Sequence, residues 1–305
     1  MSVMRGIGLK LASLVVFLAM ASFVKSATTE VPSVQAAFFR SLFAIPVVVG
    51  YLLSRGELRQ GLKMVRPGTH LIRGILGACS MMLGFTSLAY LPLPDATAIG
   101  YARPLFIVLF SAVLLKERVR LFRFTAVAIG MVGVLIILSP RLTMLHGVPS
   151  PSEKYGALAA LIAAVIVAFI QLHLRTMVKT ESTTSIVFWF SVIATLVTGL
   201  TFPFGWVMPS GWILAQLVLA GLLGGVGQIL LTASYRHAPA STLASFEYTS
   251  MVFAVLVGYA FFGEVPTWMT IIGAAIIVAS GLLVIHRERQ LGLSAERLKK
   301  TTALM

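Results

Sequence analysis

Two stretches of the sequence decide the fold: YLPLPDATAIGYARPLFIVLFSAVLLKERV at residues 90–119, and YRHAPASTLASFEYTSMVFAVLVGYAFFGEVP at residues 235–266. A shift of 147 positions lays the second stretch on the first and places Tyr248 on Tyr101. The same shift matches a proline near the start and a glutamate near the end of each stretch. Apolar helices produce chance matches easily, but coincident Pro, Tyr and Glu positions favour an internal repeat.

The composition places this repeat in a membrane. The chain has 305 residues, of which 58% are apolar and 11% are charged, and its mean hydropathy is +0.95. A soluble domain has about 25% charged residues because water must wet its surface. So little charge in so long a chain predicts that lipid covers most of the folded surface.

Long apolar runs predict ten membrane-spanning helices. Crossing the roughly 30 Å hydrocarbon core takes about 20 helical residues, whose backbone groups bond to one another because lipid offers no partners. The first run alternatively resembles a signal peptide, because Arg5 and Lys10 precede its apolar core. The predicted spans are 7–25, 34–53, 70–90, 94–115, 121–139, 156–174, 184–203, 212–234, 241–262 and 267–285.

The cations orient these helices. Nineteen of the 24 Lys and Arg residues are assigned to one side of the membrane, Lys10 and Arg73 among them. Cytoplasmic loops retain Lys and Arg, so both termini are predicted to be cytoplasmic. The net charge of +14 then lies at the cytoplasmic surface, where it indicates topology and excludes the nucleic-acid partner that such a charge would otherwise favour.

The repeat predicts an all-α integral membrane protein with two inverted halves. Five spans per repeat is an odd number, so the two copies enter the membrane in opposite directions. Carriers use such inverted repeats to alternate between outward-open and inward-open states. The predicted parts are a first half at 1–140, an extracytoplasmic connection at 141–155, a second half at 156–286 and a basic cytoplasmic tail at 287–305.

Three ionisable residues lie well inside predicted spans and away from the span ends: Arg40, Arg103 and Glu247. Such groups are costly in a bilayer and usually mark a transport path. Arg103 and Glu247 are both expected near mid-depth and are candidates for an ion pair that substrate separates. An unpaired Glu247 would instead carry a proton, and a purely structural salt bridge is the third alternative. Arg40 lies about 9 Å from its helix end, within snorkelling reach of the interface.

Aromatic and amide side chains near these charges complete the candidate binding site. A flat conjugated ligand would stack on the rings of Tyr101 and Tyr248, which the repeat relates. Pro104 removes a backbone hydrogen bond beside them and is the candidate hinge. With a two-residue length change, the repeat partner of Arg40 is a tryptophan, so the halves are not chemically equivalent. The remaining candidates are Gln171, Trp189 and Gln228.

The sequence resembles the drug/metabolite transporter superfamily, EamA type. The resemblance rests on the two opening stretches and on Arg40 within FFRSLF. Residues 66–98, RPGTHLIRGILGACSMMLGFTSLAYLPLPDATA, are similar to the branch that holds carriers for riboflavin and S-adenosylmethionine. The resemblance implies secondary-active uptake across the cell inner membrane, with riboflavin as first substrate. S-adenosylmethionine uptake or exchange, and efflux of an amino acid or drug-like metabolite, remain alternatives.

Other function classes have less support. The five histidines are scattered and the single cysteine lies in an apolar run, so neither a metal site nor a cofactor is expected. No GxxxxGK[ST] run occurs, which argues against a nucleotide-driven pump. An intramembrane enzyme, a channel and a non-transporting scaffold stay as alternatives to a carrier. The expected partners are a small-molecule substrate, the lipid bilayer, and protons or a counter-substrate; the oligomeric state is open.

Overall fold

The computed structural model describes residues 3–28, 30–90, 99–114, 116, 121–138, 151–253 and 268–302, and within these ranges it contains helices and no strands. In the first predicted half the helices are α1 (Val3–Ala27), α2 (Ser33–Leu42), α3 (Ala44–Arg55), α4 (Leu58–Gly61), α5 (Pro67–Tyr90), α6 (Arg103–Val113) and α7 (Leu121–Leu138). They are followed by α8 (Pro151–Met177), α9 (Thr183–Gly199), α10 (Gly211–His237), α11 (Ala240–Ala244) and α12 (Trp268–Thr302).

Local sequence explains several helix ends. Gly56 ends α3 with a φ of 66°, a left-handed conformation that glycine adopts without strain. Ser182 is the N-cap residue of α9, and its hydroxyl accepts a hydrogen bond from the Ser185 N–H at 3.0 Å. Pro67 starts α5, where its missing N–H would have no intrahelical partner in any case.

The apolar helices match a membrane environment. Among the described residues, four helical segments, counting α2 with α3 as one, are long and apolar enough to cross a bilayer, and shorter apolar segments lie in α6, α7, α9 and α12. Large apolar side chains such as Trp212 and Phe204 are exposed on the outside, where hydrocarbon would solvate them. Each predicted span overlaps described helical residues, while the count of ten spans and the orientation of the termini stay predictions.

The helices also differ from the predicted spans in places. The second span is broken at Phe43, between α2 and α3. Helix α8 begins at Pro151, inside the predicted connection, of which residues 141–150 lie outside the described residues. The glutamates that end the two opening stretches, Glu117 and Glu264, also lie outside them. Helix α12 continues beyond the predicted last span to Thr302.

The largest helix contacts join the two predicted halves. Helix α1 packs along α10, α5 along α8, and α7 along α12. Glycines allow close approach: a Cβ at Gly221 would lie 2.3 Å from the Cβ of Phe43, and one at Gly74 would lie 2.5 Å from the Cβ of Ile193. Because these two glycines are related by the 147-residue repeat, equivalent helices pack through equivalent faces. The functional side chains lie between these helices.

Candidate functional site

Glu247 forms an ion pair with Lys10. The Lys10 Nζ lies 2.6 Å from Glu247 Oε1, and the Lys10 side chain is only 2% exposed. The sequence counted Lys10 among the cytoplasmic cations and offered Arg103 as one candidate partner of Glu247, whereas the structure buries Lys10 and pairs it with Glu247. Lys10 faces inward because α1 packs along α10, which places its ammonium in the protein interior.

Arg103 instead binds its own backbone. Its Nε donates to the carbonyl oxygen of Gly100 at 3.0 Å. Arg103 is the first residue of α6 and directly follows a turn at residues 101–102. A break in a helix leaves carbonyl groups without helical partners, and the guanidinium satisfies one of them.

A buried amide extends the ion pair. Gln171 on α8 donates from Nε2 to Glu247 Oε1 at 3.1 Å. Its own Oε1 accepts a hydrogen bond from the hydroxyl of Tyr235 on α10. These contacts form a continuous polar chain of Lys10, Glu247, Gln171 and Tyr235. A change in the charge of the carboxylate therefore alters the strength of each hydrogen bond in the chain.

Both opening stretches break their helices at equivalent places. Residues 101–102 are a turn, and so are residues 245–248. Both breaks contain tighter three-residue bonds, such as Ala102 N–H to Ile99 O at 3.0 Å and Phe246 N–H to Leu243 O at 3.1 Å. Pro104, the predicted hinge, is the second residue of α6 and has no N–H to offer the preceding turn. Interrupted helices of this kind surround substrate sites in transporters.

The two tyrosines of the repeat meet at these breaks. The ring centroids of Tyr101 and Tyr248 are 5.9 Å apart at an interplanar angle of 50°. The Tyr101 hydroxyl lies 3.2 Å from the Oγ of Ser250. The Tyr248 hydroxyl is buried and has no hydrogen-bond partner within the part of the chain that the structure describes.

Two arginines approach one phenylalanine. The guanidinium carbon lies 5.9 Å from the Phe190 ring centroid for Arg40 and 4.7 Å for Arg73. Arg73 also donates from one terminal nitrogen to Gln228 Oε1 at 3.1 Å. The sequence assigned Arg73 to the cytoplasmic surface, and this was wrong. Its side chain is buried because the glycine-bearing face of α5 packs against α9.

The polar cluster consists of the hydrogen-bonded chain from Lys10 to Tyr235, the Tyr101–Tyr248 pair with Ser250, and the two arginines with Phe190 and Gln228. The indole of Trp189 is not part of it. Its N–H donates to the carbonyl oxygen of Leu62, in the segment between α4 and α5, at 2.9 Å. The predicted repeat partner of Arg40 was also wrong by one position. A shift of 150 residues gives positions 33–50 and 183–200 the same burial at every position. This shift places Arg40 on Phe190.

Five residues that contact the predicted candidates were not themselves predicted from the sequence. The missed residues are Lys10, Arg73, Phe190, Tyr235 and Ser250. Lys10 and Arg73 are each the fourth residue of a predicted span, and a position so close to the helix end is typical of a cytoplasmic cation. A stricter rule, which treats every cation within a span as buried until a partner is found, would have identified both.

Glu181 forms a second set of polar contacts, in the loop between α8 and α9. Both carboxylate oxygens of Glu181 accept from the Val65 N–H, at 3.0 and 3.2 Å, and Oε1 accepts from the Arg66 N–H at 2.7 Å; His70 Nε2 lies 3.3 Å from Oε2. Burial by itself raises the pKa of Glu181, but the two backbone donors and His70 outweigh it and hold that pKa below its ordinary value. Glu181 thereby fastens the α8–α9 loop to the start of α5.

Polar contacts of the cluster cross between the two predicted halves. Lys10 belongs to the first half and Glu247 to the second, Arg73 to the first and Gln228 to the second, and Tyr101 to the first and Ser250 to the second. Among the described residues, no group of three or more His, Cys, Asp or Glu side chains is placed to hold a metal ion. These contacts place charged side chains in the protein interior, at the interface between the two predicted halves.

Comparison with known proteins identifies the family. The sequence model described as the EamA-like transporter family matches residues 4–139 and, again, residues 154–286. A solved crystal structure has the same fold, with a TM-score of 0.80 at 23% identity, over 94% of this chain and 98% of the other.

Three curated relatives carry different substrates in their names. The pseudopaline exporter CntI of Pseudomonas aeruginosa is 32% identical over 87% of this chain and 90% of its own length. The riboflavin transporter of Rhizobium johnstonii is 32% identical over 84% of this chain and 82% of its own. The S-adenosylmethionine uptake transporter of Rickettsia felis is 28% identical over 94% of each chain.

Proposed function

Because the chain belongs to the EamA-like transporter family, we propose that it is a secondary-active carrier which moves a small organic metabolite across the cell inner membrane. In this proposal ten helices form two inverted five-helix halves, and both termini are cytoplasmic. The double match of the family model supports two related halves. The transporter names of the relatives support a non-enzymatic function.

The observation that carries the mechanism is the set of polar contacts between the halves. If one half rocks against the other, Lys10 separates from Glu247, and Tyr101 separates from Ser250. Each opening exposes polar groups to water or substrate, and each closing buries them again. Two states of similar energy are what alternating access needs.

Glu247 is the proposed coupling residue. Its carboxylate is paired with Lys10 and accepts from Gln171, so it stays charged in the closed state. Separation from Lys10 would remove the nearest counter-charge while the opening admits water, and both changes favour proton uptake before the halves close again. Arg103, Tyr101 and Tyr248 are the other titratable or charged side chains near this carboxylate.

The candidate substrates follow from two features of the site. The tilted pair of Tyr101 and Tyr248 provides aromatic faces for a flat ring, which supports riboflavin as the first compound to test. S-adenosylmethionine is the second candidate, since its carboxylate suits the arginines beside Phe190. The branch resemblance supports uptake, while a relative named as an exporter keeps efflux as the alternative direction.

Proteoliposomes with the purified full-length protein test this function. Radiolabelled riboflavin and S-adenosylmethionine are supplied separately, with and without an imposed pH gradient. We expect one compound to accumulate, and Glu247→Gln to remove the effect of the gradient. Failure of both compounds to accumulate or exchange would reject the substrate assignment, and conduction of ions without saturation would favour a channel.

A further inference from the structure

Arg40 is a buried cation that has no matching anion within the described part of the chain. Its side chain is 8% exposed. Its nearest acceptors are two thioethers, Met20 Sδ at 3.5 Å from Nε and Met81 Sδ at 3.9 Å from a terminal nitrogen. Sulfur of this kind is a weak acceptor, and no carboxylate among the described residues lies within ion-pair distance. A guanidinium keeps its charge in proteins, so burial here is costly.

Arg73, next to Arg40, is also a buried cation with incompletely paired donors. The side chain is 3% exposed, and its Nε has no hydrogen-bond partner within the described part of the chain. One neutral amide, Gln228, accepts from a terminal nitrogen. Both guanidinium groups lie within 6 Å of the centroid of the Phe190 ring. Two like charges in one buried place oppose folding, and cation–π contacts offset only part of that cost.

We propose that Arg40 and Arg73 form an anion subsite that binds a carboxylate or phosphate group of the transported metabolite. This inference rests on the proposed carrier function and, among its candidate substrates, favours S-adenosylmethionine, which has a carboxylate, over riboflavin, which has no oxyanion. Guanidinium groups bind such oxyanions through two parallel N–H donors. The unused Nε of Arg73 and the weakly satisfied donors of Arg40 are free to take this role.

The position of the subsite explains how it opens. Both arginines belong to the first half, whereas Phe190 on α9 and Gln228 on α10 belong to the second. Separation of the halves therefore uncovers the guanidinium donors and leaves them facing the gap. Gln228 and Tyr235 are seven residues apart on α10, hence on one helix face. Tyr235 donates to Gln171, which donates to Glu247, so one face of α10 carries both a residue of the subsite and the end of the hydrogen-bonded chain that reaches the coupling residue.

Matched pairs of compounds test this subsite by binding alone. Thermal unfolding of the purified full-length protein in detergent is followed with FMN and riboflavin, with S-adenosylmethionine and its decarboxylated form, and with inorganic phosphate. FMN adds a phosphate to riboflavin, and decarboxylation removes the carboxylate of S-adenosylmethionine. We expect at least one anionic member to stabilise the protein with at least tenfold higher affinity than its partner.

The variants are Arg40→Gln and Arg73→Gln, with the exposed Arg55→Gln as control. Each glutamine variant is expected to lose the preference for the anion and, because it removes an uncompensated buried charge, to unfold at the same or a higher temperature without ligand. A purely structural arginine would instead lower that temperature when replaced. Absence of any anion preference in the wild type, or a preference that both variants retain, overturns the proposal.

This binding result is independent of transport. An arginine-dependent anion preference stands even where proteoliposomes show no uptake, and in that case the carrier proposal alone fails. Uptake of neutral riboflavin at the same rate in both arginine variants would support the carrier proposal and reject the anion subsite. The pair of phosphate and carboxylate probes also shows which oxyanion the subsite prefers.

Discussion

The guanidinium carbon of Arg40 lies 5.9 Å from the ring centroid of Phe190, and these two residues occupy equivalent positions in the two halves. When equivalent residues of two related halves touch each other, they lie at the axis that relates the halves. Tyr101 and Tyr248 are a second such pair, with ring centroids 5.9 Å apart. One pair is chemically identical and the other joins a cation to an aromatic ring. At these two contacts the predicted halves therefore match in packing and differ in charge.

Loss of one partner of the Lys10–Glu247 pair is expected to destabilise the protein. Glu247→Gln leaves the Lys10 ammonium buried without a counter-charge, at a cost of about 3–5 kcal/mol. The double variant Lys10→Met, Glu247→Gln removes both charges and is expected to recover most of this loss. Unfolding midpoints in detergent measure the difference. Equal midpoints for the wild type and Glu247→Gln would show that the pair contributes nothing to stability.

Close helix packing at the repeat glycines gives a second prediction. A Cβ at Gly221 would lie 2.3 Å from the Cβ of Phe43 and 3.0 Å from its Cα. Gly221→Ala is expected to push α10 away from Phe43 and to lower the free energy of unfolding by about 1–3 kcal/mol. Gly8→Ala is the control, because nothing lies within 4 Å of its added Cβ. Alanine there is expected to be neutral or to stabilise α1 by up to about 1 kcal/mol.

The Glu181 contact predicts a pH-dependent contribution to stability. Because its folded pKa is depressed, its contribution is complete above the ordinary carboxyl pKa of about 4.3 and is lost as the pH falls through the lower folded value. The groups that face this carboxylate are the backbone N–H groups of Val65 and Arg66 and the His70 ring. Glu181→Gln is expected to cost about 2 kcal/mol at pH 7.

Unfolding of the wild type and Glu181→Gln at pH 7, 5 and 3 measures this contribution. The difference should persist at pH 5 and shrink at pH 3, where the carboxylate protonates. The exposed Glu30→Gln is the control and should show no such trend. A difference that grows as the pH falls would contradict the assigned direction.

Trp189 is expected to matter for stability and not for substrate binding. Trp189→Phe removes the hydrogen bond to the Leu62 carbonyl oxygen, with an expected loss of about 1 kcal/mol. The apparent KM for the transported compound should stay within twofold, because the indole lies outside the polar cluster. A tenfold rise in KM with an unchanged unfolding midpoint would show that Trp189 contributes to substrate binding after all.

The helical class and the family could be predicted from the sequence because apolar run length and repeated Pro, Tyr and Glu positions are local properties. The repeat also related Tyr101 to Tyr248, but their contact appears only in the structure. The partner of Glu247 could not be predicted, because it depends on how α1 packs along α10. A shift of 147 residues relates α5 to α10, whereas a shift of 150 relates α2 and α3 to α9. The 147-residue shift read from the sequence therefore could not identify Phe190 as the equivalent of Arg40.

The most direct test of alternating access is the accessibility of position 250 from each side of the membrane. Ser250 touches Tyr101 across the two halves, and Cys79→Ala removes the single native cysteine, so Ser250→Cys provides one reporter thiol. A membrane-impermeant thiol reagent is applied to oriented right-side-out and inside-out vesicles. Ser191→Cys, buried and bonded to its own helix at the Val187 carbonyl, is the matched control. A carrier predicts labelling of position 250 from both sides and little labelling of position 191, whereas labelling of position 250 from one side only, or from neither, contradicts alternating access.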